Sequence, residues 1–395
     1  MEKVKRCIFC NNPPKNKNKE HVIPQWLIKM TGDLGRNINL GIPCITIDSE
    51  GNYSYEFQTE KAVKEKGRKF PFKHFTFPAC ESCNSNFANI ESKIKPIYVK
   101  IESERNLNDE EASLFLDWMD KVRVGIWHGL NQLNKTSEAI KPKFGINFRA
   151  GAYDRVLLFK RLKESKKGLN LIGVETLSFH INPCVFGLRI NNLLFLNVSS
   201  AFLISENLGF PYISEYKANT GFSGLFPKVM NCNASPAPPI LPKNILSDYE
   251  CICQPMFREI KNNPVFFDFI SELYDNEHVK SNCINYSQGT GSIFKVTDNA
   301  LTKIKKGIGV GSTSSSSDLW SEINKLNVEV LLWQNILMEK TIHLMNSTSS
   351  SDYFNNENGL PKASIRINDD YIKALKHSAH ETLNIFLISP SDLFI

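Results

Sequence analysis

Two Cys-x-x-Cys knuckles in the first hundred residues constrain the fold of this chain more than any other feature. The first knuckle contains Cys7 and Cys10, and the second contains Cys80 and Cys83. A two-residue spacer lets both sulfurs of a knuckle reach one ion, and four thiolates match the number and softness of the ligands that tetrahedral zinc prefers. The sequence therefore predicts a structural zinc site formed by these four cysteines, with 69 residues between the knuckles.

Further polar residues accompany the knuckles in a fixed order. Glu20 and His21 follow the first knuckle in the run Glu20-His21-Val22-Ile23-Pro24, and Asn84 follows Cys83 directly. This order resembles the HNH endonucleases, the zinc-bearing branch of the ββα-metal nucleases, over about residues 5 to 100. The resemblance implies an α+β chain. It would begin with a ββα-metal HNH nuclease unit with structural zinc, followed by a mixed β-rich and helical region.

The resemblance also implies roles for individual residues. His21 corresponds to the general base, which suits an imidazole because it titrates near neutral pH. Glu20 and Asn84 correspond to oxygen ligands of a catalytic Mg²⁺ or Mn²⁺ ion, whereas the thiolates suit zinc. The family has an asparagine several residues before the second knuckle; here His74 either replaces it or is an ordinary strand histidine. Glu91 either supports the metal site indirectly or, as we favour, has a structural role.

The basic charge of the chain is concentrated beside the knuckles. Residues 1 to 100 contain 17 Lys and Arg against 10 Asp and Glu, whereas the rest of the chain contains 30 against 31. Clusters of Lys and Arg neutralise phosphates and make binding dependent on salt. The charge distribution therefore favours a nucleic-acid partner for the N-terminal unit, and double-stranded DNA is the expected one.

Composition places the chain among ordinary globular proteins. It has 395 residues, of which 42% are hydrophobic and 22% charged, so two or three compact units are expected. No apolar run approaches the roughly 18 to 20 residues of a membrane span. Ten cysteines, four of them in knuckles, favour a reducing compartment, and we expect a cytoplasmic protein with no membrane partner.

Periodicity beyond residue 100 predicts further elements. Apolar residues at helical spacing predict helices over about 108–134 and 318–345, and Asp369 and Asp370 open a third that extends to about 384. Between 155 and 216, short runs of β-branched and aromatic residues predict an antiparallel sheet, with Leu177 to Ile181 as one strand. A hairpin is expected within 41–58. The predicted units are 1–105 (nuclease), 106–135 (connecting helix), 136–245 (β-rich) and 246–395 (mixed α/β to helical).

The function that these expectations favour is a metal-dependent endonuclease that hydrolyses DNA phosphodiester bonds. Nucleases of this kind resemble modular bacterial anti-phage or restriction-type effectors. The C-terminal region would then either select the target or sense a trigger, which could be a small signal molecule or a partner protein. A homo-oligomer is left open. The alternative is a four-cysteine zinc module that binds nucleic acid without catalysis, and the missing asparagine is its best support.

Overall fold

The computed structural model shows an α+β chain. The described residues are 6–10, 12–14, 18–32, 37–40, 45–47, 53–55, 68–71, 76–133, 154–164, 166–200, 203–204, 210, 212–218, 225–230, 249–255, 284–285, 290–297, 300–304, 314–315, 318–346 and 359–384. None of the helices in these ranges is long and apolar enough to cross a membrane.

The described residues of the N-terminal part form six short strands and two helices. The strands are β1 (Asn18–His21), β2 (Asn37–Leu40), β3 (Ile45–Ile47), β4 (Tyr53–Tyr55), β5 (Arg68–Pro71) and β6 (Thr76–Ala79). They form antiparallel pairs, β1 with β6, β2 with β5 and β3 with β4, and the last pair confirms the hairpin predicted within 41–58. The helices are α1 (Gln25–Met30) and α2 (Glu81–Glu102), and Cys80 is the N-cap of α2.

A long helix, α3 (Asp109–Leu133), confirms the predicted helix over 108–134. Its first turn carries Asp109, Glu110 and Glu111, whose negative charges are favourable beside the free N–H groups of a helix N-terminus. Its apolar side chains are buried against both the N-terminal unit and the central sheet. The helix therefore joins two parts of one continuous hydrophobic core.

Eight of the described strands form one sheet, in which every pair except one is antiparallel. The order is β17-β16-β13-β7-β10-β9-β8, and β18 lies parallel to the end of β7. The strands are β7 (Asp154–Leu162), β8 (Leu169–Ile172), β9 (Val185–Ile190), β10 (Leu193–Ser200), β13 (Glu250–Gln254), β16 (Phe294–Thr297), β17 (Ala300–Lys303) and β18 (Ser314–Ser315). The predicted antiparallel sheet is confirmed, and the sheet extends across the expected unit boundary at 245.

Helices cover both faces of this sheet. Alternate residues of β10 face opposite ways, so Phe195 packs in the core that contains α3, whereas Leu194 and Leu196 pack in a second core. The second core contains Trp333 and Val330 of helix α5 (Leu319–Asn346), which confirms the helix predicted over 318–345. Every residue of β9 and β10 is buried. The sheet is thus the middle layer of three.

One predicted strand is wrong, because Leu177–Ile181 forms the short helix α4. The hydroxyl oxygen of Thr176 accepts a hydrogen bond from the backbone N–H of Phe179 at 3.1 Å and caps this helix. Helix α6 (Gly359–Asn384) begins ten residues before the predicted Asp369 and ends as expected. The remaining strands form two small sheets: β11 (Tyr212–Ala218) with β12 (Leu225–Met230), and β14 (Ile284–Asn285) with β15 (Thr290–Gly291).

Candidate metal centre and adjoining polar cluster

The four cysteines of the two knuckles come together as predicted. Their sulfur atoms all lie within 4.8 Å of one another, and Cys10 Sγ is 3.6 Å from Cys80 Sγ. Four sulfurs at about 2.3 Å from a tetrahedral zinc ion lie about 3.8 Å apart, so the cluster has the dimensions of such a site. The four cysteines could hold a metal ion, and their chemistry is compatible with structural zinc.

Local structure brings the knuckles together from distant parts of the sequence. The backbone N–H of Ile8 donates to the carbonyl of Pro78 at 3.0 Å, so the first knuckle is attached to β6 just before the second knuckle begins. The Phe9 ring packs against the Phe87 ring of α2 with centroids 4.5 Å apart. Contacts with β6 and α2 therefore bring the first knuckle close to the second.

The thiols of the cluster affect one another strongly. The hydrogen bond from Cys83 lowers the pKa of Cys7 to about 4, and the same contact raises the pKa of Cys83. One thiolate in a cluster of thiols is the state from which a divalent cation displaces the remaining protons. A thiolate at Cys7 would supply one of the deprotonated ligands that a divalent cation requires.

Glu20 and His21 lie at the end of β1 and face opposite ways. Glu20 pairs with Phe77 of β6 and is buried, whereas His21 pairs with Thr76 and is partly exposed. The side-chain amide nitrogen of Gln25 lies 3.1 Å from Nε2 of His21. The two nitrogens are within hydrogen-bond distance, and the tautomer of His21 determines their roles as donor and acceptor. A general base must be a neutral imidazole, so His21 can act as one only in its uncharged form.

The other predicted site residues lie in different surroundings. Asn84 lies in the first turn of α2, directly after Cys83, and its backbone N–H donates to the carbonyl of Cys80 at 3.0 Å. His74 lies outside the described residues, which end at 71 and resume at 76. Glu91 lies two turns beyond Asn84 on α2 and is largely buried. Burial raises the pKa of Glu91, and the ammonium group of Lys121 opposes that shift.

Lys121 of α3 is a component of this cluster that the sequence motif did not reveal. Its Nζ atom is fully buried and lies 2.6 Å from Oε1 of Glu20, and it also binds Oε1 of Glu91. The same Nζ donates to the carbonyl oxygens of His21 at 3.0 Å and of Val22 at 3.2 Å. One buried ammonium therefore holds two carboxylates and the backbone that follows Glu20.

A signal for this contact is present in the sequence of α3. Lys121, Gly125 and Gly129 recur every four residues and so lie on one face of the helix. A Cβ atom on Gly125 would lie 3.0 Å from Val22, and one on Gly129 would lie 2.3 Å from the Phe77 ring. Two mid-helix glycines beside a lysine could have indicated that this face packs closely against another backbone.

Comparison with known proteins adds no relative: no family model, no curated protein and no solved structure matches this chain.

Proposed function

We propose that this chain is a metal-dependent HNH endonuclease that hydrolyses DNA phosphodiester bonds. The observation that carries the proposal is the position of Glu20 and His21 on β1. This strand pairs with β6, and β6 leads through Cys80 into α2, beside a cluster of four cysteines. Two antiparallel strands followed by a helix, around a thiolate cluster, is the arrangement expected of a zinc-bearing ββα-metal unit.

In the proposed mechanism, His21 accepts a proton from the attacking water through a ring nitrogen. Glu20 and Asn84 would hold Mg²⁺ or Mn²⁺, which supplies positive charge for the scissile phosphate and the leaving oxygen. Oε1 of Glu20 binds Lys121, so the metal ion would use the other oxygen of that carboxylate. His74 would orient His21, and Cys7, Cys10, Cys80 and Cys83 would hold the scaffold around zinc.

We further propose that the chain is a bacterial anti-phage or restriction-type effector whose C-terminal region regulates the nuclease. It would select the DNA target or bind a signal molecule or partner protein. The excess of basic residues in the first hundred positions supports DNA binding by the N-terminal unit. The near-neutral balance of the remainder favours the sensing role over a second DNA-binding surface.

A catalytically silent zinc module that binds nucleic acid is the second candidate. One specific observation favours it: the carboxylate of Glu20 is buried and paired with Lys121. An ion-paired carboxylate binds a divalent cation less readily, because the cation must compete with the ammonium group.

Cleavage of supercoiled plasmid by the purified chain tests the proposal. Cleavage by wild type, His21→Ala and His343→Ala would be measured in Mg²⁺, in Mn²⁺ and after dialysis into buffer without divalent cations. His343, an exposed histidine of α5, serves as the control. Dialysis is preferable to EDTA because a chelator could also remove the zinc. We expect nicking that requires the cation, disappears in His21→Ala and persists in His343→Ala.

DNA binding measured on the same samples separates the two candidates. His21→Ala should still bind DNA and retain zinc while it fails to cut. Wild-type protein that binds DNA and zinc but never cuts would favour the silent module, and equal cutting by His21→Ala would exclude His21 as the base.

A further inference from the structure

We propose that Lys121 is a positioning residue of the nuclease centre, which makes α3 part of that centre rather than a connection to the next unit. The proposal rests on the nuclease function proposed above, and it adds a residue that lies outside the sequence motif. Its ammonium group would fix the end of β1, so that Glu20 faces inward and His21 faces outward.

The contacts of Nζ carry this inference. A lysine ammonium has three N–H donors, and here its acceptors are the carboxylates of Glu20 and Glu91 and the carbonyls of His21 and Val22. Three of these four groups belong to consecutive residues, the last two of β1 and the one that follows it. A single cation thus fixes the Glu20 side chain and the backbone carbonyl groups of His21 and Val22.

Burial shows that this is an internal cation rather than a surface ion pair. The Lys121 side chain is fully buried, and the side chains of Glu20 and Glu91 are 8% and 19% exposed. An ammonium group at such a depth is stable only when acceptors surround it. The Phe87 ring, whose centroid is 5.9 Å from Nζ, covers one side.

This arrangement also gives a physical role to two residues of the second knuckle's helix. Phe87 and Glu91 are four residues apart on α2 and face α3 together. One supplies an aromatic ring and the other a carboxylate to the same ammonium group. Phe87 and Glu91, which follow the second knuckle, therefore form part of the binding site for the Lys121 ammonium group.

Two variants separate positioning from folding. Lys121→Met removes the charge and leaves two uncompensated carboxylates, so it could fail by unfolding. Lys121→Met/Glu91→Gln removes one charge of each sign and should recover most of the lost stability. Lys100→Met is the matched control, because Lys100 also joins α2 to α3 through Glu111 but does not contact β1.

The expected result is that the charge-balanced double variant folds, binds zinc and binds DNA, but has a kcat about 100-fold below wild type. Its KM for plasmid should change little. Lys100→Met should keep the wild-type kcat. A double variant that is stable and cuts at the wild-type rate would overturn the inference and leave the proposed function intact.

Hydrogen exchange gives a readout that does not require cleavage. In the double variant, amides of the peptide covering residues 18–32 should exchange about tenfold faster than in wild type, and in Lys100→Met they should not. If wild type cuts under no condition, the proposed function fails, and this exchange experiment alone decides whether Lys121 fixes the end of β1. Unchanged exchange would refute the positioning role.

Discussion

Lowering the pH should destabilise the fold through His180, which lies in the last turn of helix α4. This side chain is buried, its Nε2 atom has no hydrogen-bond partner among the described residues, and burial lowers its pKa from 6.5 to about 4. Between these two pH values the unfolded chain binds a proton that the folded chain excludes, so stability falls as the pH falls. The full difference is about 3 kcal/mol, of which about 2 kcal/mol should appear between pH 7 and pH 5.

A variant without the titrating group isolates this contribution. His180→Phe keeps a planar ring in the same buried position but cannot bind a proton. Urea unfolding at pH 7 and pH 5, followed by tryptophan fluorescence, gives the free energy of unfolding of both proteins. Loss of zinc also depends on pH, but it is common to both and cancels in their difference.

The variant should gain about 2 kcal/mol relative to wild type when the pH falls from 7 to 5. His343→Phe, which changes an exposed histidine, should show no such gain. A difference between His180→Phe and wild type that is the same at both pH values would refute the argument that burial suppresses protonation of His180.

Two other predictions concern the N-terminal unit. The purified protein should contain one zinc ion per chain by elemental analysis. Cys80→Ala should lose both the zinc and cooperative unfolding. The control Cys251→Ala, which changes a buried cysteine of β13, should keep the zinc. Gly129→Ala places a methyl group 2.3 Å from the buried Phe77 ring. The resulting overpacking should destabilise the fold by about 1 to 3 kcal/mol. We expect this loss to exceed the roughly 1 kcal/mol that the higher helix propensity of alanine contributes. Denaturation should therefore show Gly129→Ala to be less stable than wild type, and the double variant Gly129→Ala/Phe77→Leu should recover part of the loss.

The elements with strong periodicity could be predicted from the sequence. Leu114, Trp118 and Val122 recur at helical spacing, and α3 ends within one residue of the expected bounds at both ends. The run Leu177 to Ile181 was misleading, because its apolar residues alternate with Ser178 and His180 in the pattern of a strand, although the segment forms a helix. The cap provided by Thr176 stabilises the helix, and such a cap is easily overlooked in a five-residue segment.

Part of the candidate site could be predicted because it is encoded locally. The spacing within each knuckle fixes which sulfurs can share an ion, so the four cysteines were identified without knowledge of the chain path between them. Lys121 could not be found in this way, because it lies 100 residues from His21 and meets β1 only through tertiary packing. A lysine on the buried face of an amphipathic helix marks a buried acceptor, but the sequence does not tell which acceptor.

The burial of the central sheet restricts where a C-terminal recognition surface could lie. An antiparallel sheet commonly leaves one face open to solvent, but β9 and β10 are buried along their whole length between α3 and α5. These strands therefore cannot present a flat face to DNA or to a signal molecule. Any ligand would have to be recognised by helices, loops or strand edges around the sheet. A ligand that bound beside the sheet and shifted α3 would also move Lys121, and with it the backbone around His21.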